Sequence, residues 1–414
     1  MTVNAVHRLR ECRRIGSYSC MPLFDRRMRQ AVLPAVLALI AVSTAVSTAL
    51  AAPAGKYLFY VGTYTEEGST SKGIYAYSFD AATNEIKSLG LAAETTNPSF
   101  VALHPNGRFL YAVNELGNYQ GPNSGGVSAF SIDRTTGKLT FLNEVPSRGA
   151  DPCYIIVDPS GKYVLVANYT GGSVAVFPVL ADGKHGEASA FVQHTGKGTN
   201  PERQEGPHAH SIDLSPDSRF AFVDDLGLDK LLVYKFDRSK GSLTPNDPPF
   251  ATIAAGSGPR HFALHPNGKF AYVLAEMGHT VTALSNDPAT GKLQTLQTVP
   301  TLPKDFKGRN DDAEIEVHPS GKFLYASNRG EDTIVTYSID PAKGTLTQME
   351  SVSSGGKEPR SFEIDPTGAF LFAANQLSDS IVVFRIDQKT GKLTPTGQKF
   401  SVGRPVCVKF LKVN

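Results

Sequence analysis

Cysteine is scarce in this chain, four residues in 414, and two of the four fall in the first fifty positions. Only Cys153 and Cys407 remain for the body, and they read as buried small apolar residues, neither a disulfide nor a nucleophile. Clusters of Lys and Arg interleaved with aromatics are absent, which removes the electrostatic basis for binding nucleic acid. There is no Ser-His-Asp order, no P-loop and no cluster with metal-ligand spacing, so neither a metal nor a cofactor is expected. Nor is there a heptad, a long exposed apolar strand or a charged tail, which leaves a monomer as the default.

The first 51 residues differ from the rest. Arg26, Arg27 and Arg29 precede an apolar run from Ala31 to Val42, and a Ser/Thr/Ala stretch then ends in Ala49-Leu50-Ala51. A basic start, an apolar middle and an A-x-A end are the parts of a secretory signal peptide, here cleaved after about Ala51. An uncleaved anchor is the alternative, but Pro34 and the many small residues argue against it. The expected organisation is therefore a leader over 1–51 and one domain over 52–414, periplasmic or secreted, with no membrane anchor after cleavage. The leader holds seven arginines and two acids, so the remainder carries 34 bases against 37 acids, a net of −3.

That remainder is repetitive. An apolar run, a Pro-x-Gly turn, a second apolar run and a third run closed by Asp recur along it. The turn residues fall at Gly107, Gly161, Ser218, Gly268, Gly321 and Gly368, spaced by 54, 57, 50, 53 and 47 residues. A period of about 50 residues built from short alternating strands indicates a β-propeller, one four-stranded sheet per repeat.

Counting third strands gives seven, beginning near Gly73, Gly125, Gly172, Asp229, His279, Asp332 and Asp379. Only six repeats own a complete front half. The segment from Arg404 to Phe410 reads as a first strand with nothing after it, while Gly55 to Gly62 matches Gly107 to Asn114 position by position. The predicted fold is all-β, a seven-bladed propeller with four antiparallel strands per blade. Its last blade is closed by the C-terminal strand joining the N-terminal ones, which removes open sheet edges. Cys153 and Cys407 then start first strands with one blade between them, beyond the roughly 7 Å Cα separation a disulfide tolerates.

In such a blade the start of the first strand and the end of the second share one face. Six positions before each turn proline stand Ser99, Cys153, His210, Arg260, Ala313 and Arg360. Just past the second strands stand Glu115, Tyr169, Leu226, Glu276, Arg329 and Gln376, with Thr63 from the split blade. Cationic donors with a carboxylate or imidazole base at one mouth suit a small anionic or carbonyl-bearing molecule. His210, Arg260, Glu276 and Arg329, from adjacent repeats, are the leading candidates, and Glu115 and Arg360, on the opposite arc, rank behind them. Each has a plainer reading. Arg260 and Glu276 can simply pair, Arg329 can be a rim turn residue, and His210 can be a hydrogen-bonded histidine. His208 and His210 could also meet at a metal, though no third ligand is indicated. Asp224, Asp225 and Asp229 fit backbone capping, and His104, His265 and His318 occupy the repeated turn as structural residues.

These residues resemble the lactonase-type seven-bladed propellers, the family of the bacterial propeller 6-phosphogluconolactonase. The resemblance rests on Tyr60-Val61-Gly62-Thr63-Tyr64, the run from Arg203 to His210, Asp225-Leu226-Gly227-Leu228-Asp229, Gly258-Pro259-Arg260-His261, and Ala313-Glu314 leading to Arg329-Gly330. More distantly the chain is similar to the carboxymuconate-lactonizing propellers, whose His, Glu and Arg site groups fall where His210, Glu276, Arg260 and Arg329 stand. The resemblance implies a hydrolase that opens a sugar lactone or related ring. Those four residues would be catalytic, and His208, His261, Asp225, Arg203 and Glu314 would contact a lactone or carboxylate substrate. The leader departs from the pattern, because 6-phosphogluconolactone is made in the cytoplasm. A muconate-type cycloisomerase or lyase, and a non-catalytic binding propeller of the cell envelope, are the alternatives.

Overall fold

A computed structural model describes residues 55–413, and the expected leader lies outside them. Each repeat folds as the spacing predicts. All six turn residues, Ser218 among them, adopt a left-handed φ between 54° and 73°, which glycine takes without steric cost. A second left-handed residue precedes five of the third strands: Gly172, Asp229, His279, Asp332 and Asp379. The strand proper therefore begins one residue after the position read from sequence.

Seven four-stranded antiparallel sheets result. Blade 2 begins with Val101–Leu103, blade 3 with Pro152–Val157 and blade 4 with Ala209–Leu214. Blade 5 begins with Pro259–Leu264, blade 6 with Asp311–Val317 and blade 7 with Pro359–Ile364. Blade 1 is the split one: Pro405–Lys412 pairs with Lys56–Thr63, from Tyr57 opposite Lys412 to Thr63 opposite Pro405. First strands touch their neighbours in an unbroken cycle through all seven blades, so the ring closes.

The seam between blades 7 and 1 is packed with aromatics. Phe59 lies 5.4 Å from Phe372 and 5.3 Å from Phe410, and Phe79 packs edge-on to Phe370 and Phe372. Such pairs contribute about 0.5–1.5 kcal/mol each beyond their burial. Other blades are riveted by repeated polar contacts. His104, His265 and His318 each donate from Nε2 to the turn glycine carbonyl of the next blade, at 2.8–2.9 Å, while Nδ1 accepts a local backbone N–H. Tyr111, Tyr272 and Tyr325 donate to Gly183, Gly344 and Gly391 carbonyls of the following blade. Cys153 and Cys407 are buried free thiols.

Candidate functional site

One irregularity recurs in the first strands and builds the site. In blade 3 the pairing jumps from Pro152–Asn168 to Tyr154–Ala167, leaving Cys153 unpaired. The same slip leaves out His210, Arg260 and Arg360, and Val406 on the closing strand. In blade 6 it leaves out both Ala313 and Glu314. A β-bulge re-aims the side chain it frees. Here it aims Cys153, His210, Arg260, Arg360 and Val406, with Ser99 from blade 2, into one deep, tight cavity of about 10 Å³, room for about a single water.

Residues after the second strands line a wider basin, about 260 Å³, that opens to solvent. Glu115, Tyr169, Glu276 and Arg329 face it together with Arg203 and Asp311. Glu115, Cys153, His210 and Arg360 line both spaces and so form the neck between them.

Glu276 is the electrostatic centre of one wall. Its Oε1 accepts a 2.5 Å bond from Arg203, and its Oε2 lies 2.9 Å from both Arg329 Nη2 and Arg260 Nε. The Arg260 N–H points off that line, so this contact is Coulombic and leaves the buried Nε without a hydrogen bond. Burial alone would raise the Glu276 carboxyl, but Arg329, Arg260 and Arg203 outweigh it and hold the group at about 2. Arg260 is brought down to about 10 by burial, then by Arg329 and Arg360; its Nη1 donates to the Ala313 carbonyl.

His210 is 4% exposed. Burial, then the charges of Arg260, His261 and Arg360, push its pKa well below the usual imidazole value, so the ring is neutral at pH 7. Its Nδ1 lies 3.8 Å from Cys153 Sγ, and Nε2 has no hydrogen-bond partner among the described residues. Burial drives the Cys153 thiol up, which leaves it protonated and unsuited to attack. Glu115 behaves oppositely to Glu276. Tyr64 donates to both its oxygens at 2.9 Å, Ser99 also donates to Oε2, and burial raises its pKa in spite of Arg360.

The structure thus brings His210, Arg260, Glu276 and Arg329 together, with Arg203 beside them. Arg329 is buried and points inward; it is not a rim residue. His261 lines the deep cavity behind Arg260, with Nδ1 2.7 Å from Glu314 Oε1. Glu314, His208 and Asp225 line neither space. Glu314 is engaged by His261 and Ser361. Asp225, fully buried, accepts the His208 N–H and sits 2.6 Å from His194 Nδ1, so it caps the loop that delivers His210. The His208 and His210 rings flank Tyr169, with centroids 4.6 and 5.4 Å from it, and do not converge on a common point. Arg360 and Glu115, ranked second from sequence, form the neck. Their register had nominated them, but arc position is a poor guide where the first strands crowd around a narrow axis.

Comparison with known proteins agrees with this architecture. The family described as "Lactonase, 7-bladed beta-propeller" matches residues 58–410. A 6-phosphogluconolactonase of Bacillus subtilis is 40% identical over 356 residues, 86% of this chain and 99% of the relative. A 6-phosphogluconolactonase of Formosa agariphila is 36% identical over 73% of this chain and 84% of its own length. The solved structure of a periplasmic gluconolactonase of Pseudomonas aeruginosa superposes with a TM-score of 0.80 at 36% identity, covering 86% of this chain and 99% of that one.

Proposed function

The chain belongs to the lactonase family of seven-bladed β-propellers, and from that premise we propose that it hydrolyses a sugar lactone in the basin at the channel mouth. The observation that carries this reading is the His210 imidazole, whose Nε2 has no hydrogen-bond partner among the described residues, facing one basin together with Arg203, Arg329 and Arg360. Water adds to the lactone carbonyl carbon as His210 takes its proton, and the carbonyl electrons move onto oxygen, where guanidinium charge stabilises them. The ring C–O bond then breaks, and the alkoxide takes the proton back from the imidazolium. The product is the open-chain hydroxy acid, which ionises and acidifies the medium.

Glu276 does not fit the role of base, because Arg203, Arg260 and Arg329 engage both of its oxygens and leave neither open to a water. It fixes Arg203, Arg260 and Arg329 in place. Release of acid from glucono-1,5-lactone and from its 6-phosphate, followed by a pH indicator, tests the reading. A rate above the spontaneous one supports it, and no enhancement with either compound overturns it.

The A-x-A end of the leader and the periplasmic relative support export, with cleavage after about Ala51. Sequencing the N-terminus of protein recovered from the cell envelope or medium checks the cleavage point.

A further inference from the structure

Five guanidiniums surround the neck and basin, and they differ in what they already hold. Arg203, Arg260 and Arg329 all contact Glu276. Arg309, farther out, is held by Asp311 at 2.8 Å. Arg360 alone has neither a side-chain hydrogen bond nor a carboxylate oxygen within 4.0 Å among the described residues. Its one close contact is the face of the Tyr64 ring, 5.4 Å from guanidinium carbon to centroid. Glu115, the nearest carboxylate at the neck, is turned to Tyr64 and Ser99. Half-buried at the neck and with no carboxylate in contact, the Arg360 guanidinium keeps its N–H donors open to an oxygen of a ligand, while Glu115 and Glu276 act on it only from a distance.

The position of Arg360 narrows what that ligand group is. It shares the neck with His210, and its charge is among those acting on the imidazole. An oxygen bound to Arg360 and a water bound to His210 would therefore be neighbours, as the two oxygens of one tetrahedral centre must be. An anchor for a remote substituent belongs farther out in the basin, toward Arg203 and Arg309.

We propose that Arg360 is a catalytic residue whose guanidinium takes the lactone carbonyl oxygen and the negative charge that develops on it. Tyr64 and Glu115 act as positioning residues that orient it across the neck. The inference rests on the lactonase reading for its substrate, and goes beyond it in moving the oxyanion partner away from the Glu276 cluster. Arg260 and Arg329 then shape the field and the wall and do not touch the reacting oxygen.

The test is Arg360→Met and Arg360→Lys, with kcat and KM on the better lactone, melting temperature, and calorimetric binding of gluconate. Arg360→Met is expected to lower kcat by 100-fold or more, change KM less than threefold and leave the melting temperature within about 2 °C. Arg360→Lys should recover at least tenfold of the lost kcat, since a cation returns without the fork. A kcat for Arg360→Met within threefold of the parent overturns the proposal. So does a loss carried entirely by KM, which would make Arg360 an anchor, or a fall in melting temperature that Arg360→Lys repairs together with activity. Should the parent open no lactone, the lactonase reading fails on its own. Gluconate binding then decides the Arg360 contact: weakening of tenfold or more in Arg360→Met retains it, and unchanged binding removes it.

Discussion

The two walls of the neck contain the same kinds of side chain in opposite states. On the wall of blades 5 and 6, Glu276 has both oxygens occupied by guanidiniums and its carboxyl is held near 2. On the wall of blades 2 and 7, Glu115 is held by neutral hydroxyls, its carboxyl raised, and the arginine across from it holds nothing. On one wall the carboxylate is fully engaged by cations before any ligand arrives. The other is completed only by a ligand. A saturated ion cluster supplies rigidity and a fixed field, whereas an unsaturated one supplies chemistry, and residue types alone do not tell them apart.

The comparison breaks most visibly at Glu276. Glu276→Gln would leave three guanidiniums facing each other in a buried wall, a loss of about 3–5 kcal/mol for breaking such a cluster. A fall in melting temperature of several degrees is expected, with turnover reduced 100-fold or more as the wall loosens. The sign of the pH dependence follows from the lowered carboxyl. Its stabilisation is present above about pH 4.5, the ordinary carboxyl value, and fades as pH drops toward 2. Parent and variant should accordingly differ most above pH 4.5 and converge in acid, as read by thermal melts across that range. A variant as stable as the parent at pH 7 would mean that the wall needs no anion.

Arg260→Ala comes next. It removes one of three cations from Glu276 and one of the charges suppressing the protonation of His210. About a 100-fold loss in kcat/KM is expected with a smaller loss of stability than for Glu276→Gln, since Arg203 and Arg329 still satisfy the carboxylate. The two melting curves, measured side by side, rank the contributions.

A pH profile sharpens the comparison without mutation. Because burial and neighbouring cations lower the His210 pKa well below 6.5, the imidazole stays in its proton-accepting form through mildly acidic conditions. Enzymatic kcat/KM should hold level from pH 8 down through pH 6 and decline only well below that, after subtraction of spontaneous hydrolysis. A decline centred at 6.5 would show that the histidine feels neither the burial nor the arginines.

The smallest effect is expected at Tyr64. Tyr64→Phe keeps the ring beneath Arg360 but removes the hydroxyl that donates to Glu115. A three- to tenfold drop in kcat and about 1 kcal/mol of stability are expected. A loss as large as that of Arg360→Met would move the hydroxyl itself into the chemistry.

The fold was legible because its signals are periodic. Turn glycines, third strands and the unmatched first strand from Arg404 predict seven blades and their closure, and the two mouth registers predict which side chains converge. What the sequence could not display is the state of each group. Glu276 and Glu115 occupy the same register, and only the arrival of Arg203 from the loop before blade 4 and of Arg329 from blade 6 separates them. Asp225 illustrates a different limit. The family resemblance implied substrate contact, whereas the residue-level expectation of backbone capping agrees with the structure, where it accepts the His208 amide and meets His194. The bulges were hidden as well, since a skipped residue leaves no mark on hydrophobic alternation, yet they aim half of the deep cavity's side chains.

The closing strand has a consequence for biogenesis. Pro405–Lys412 is translated after every other strand of the ring, and its Val406 supplies the final segment of the deep cavity's wall. A chain caught partway through synthesis therefore possesses every polar group of the neck but no finished cavity to hold them in. The pocket at the axis is therefore assembled by the last strand of the chain to be made, and folding of the site waits on completion of the ring.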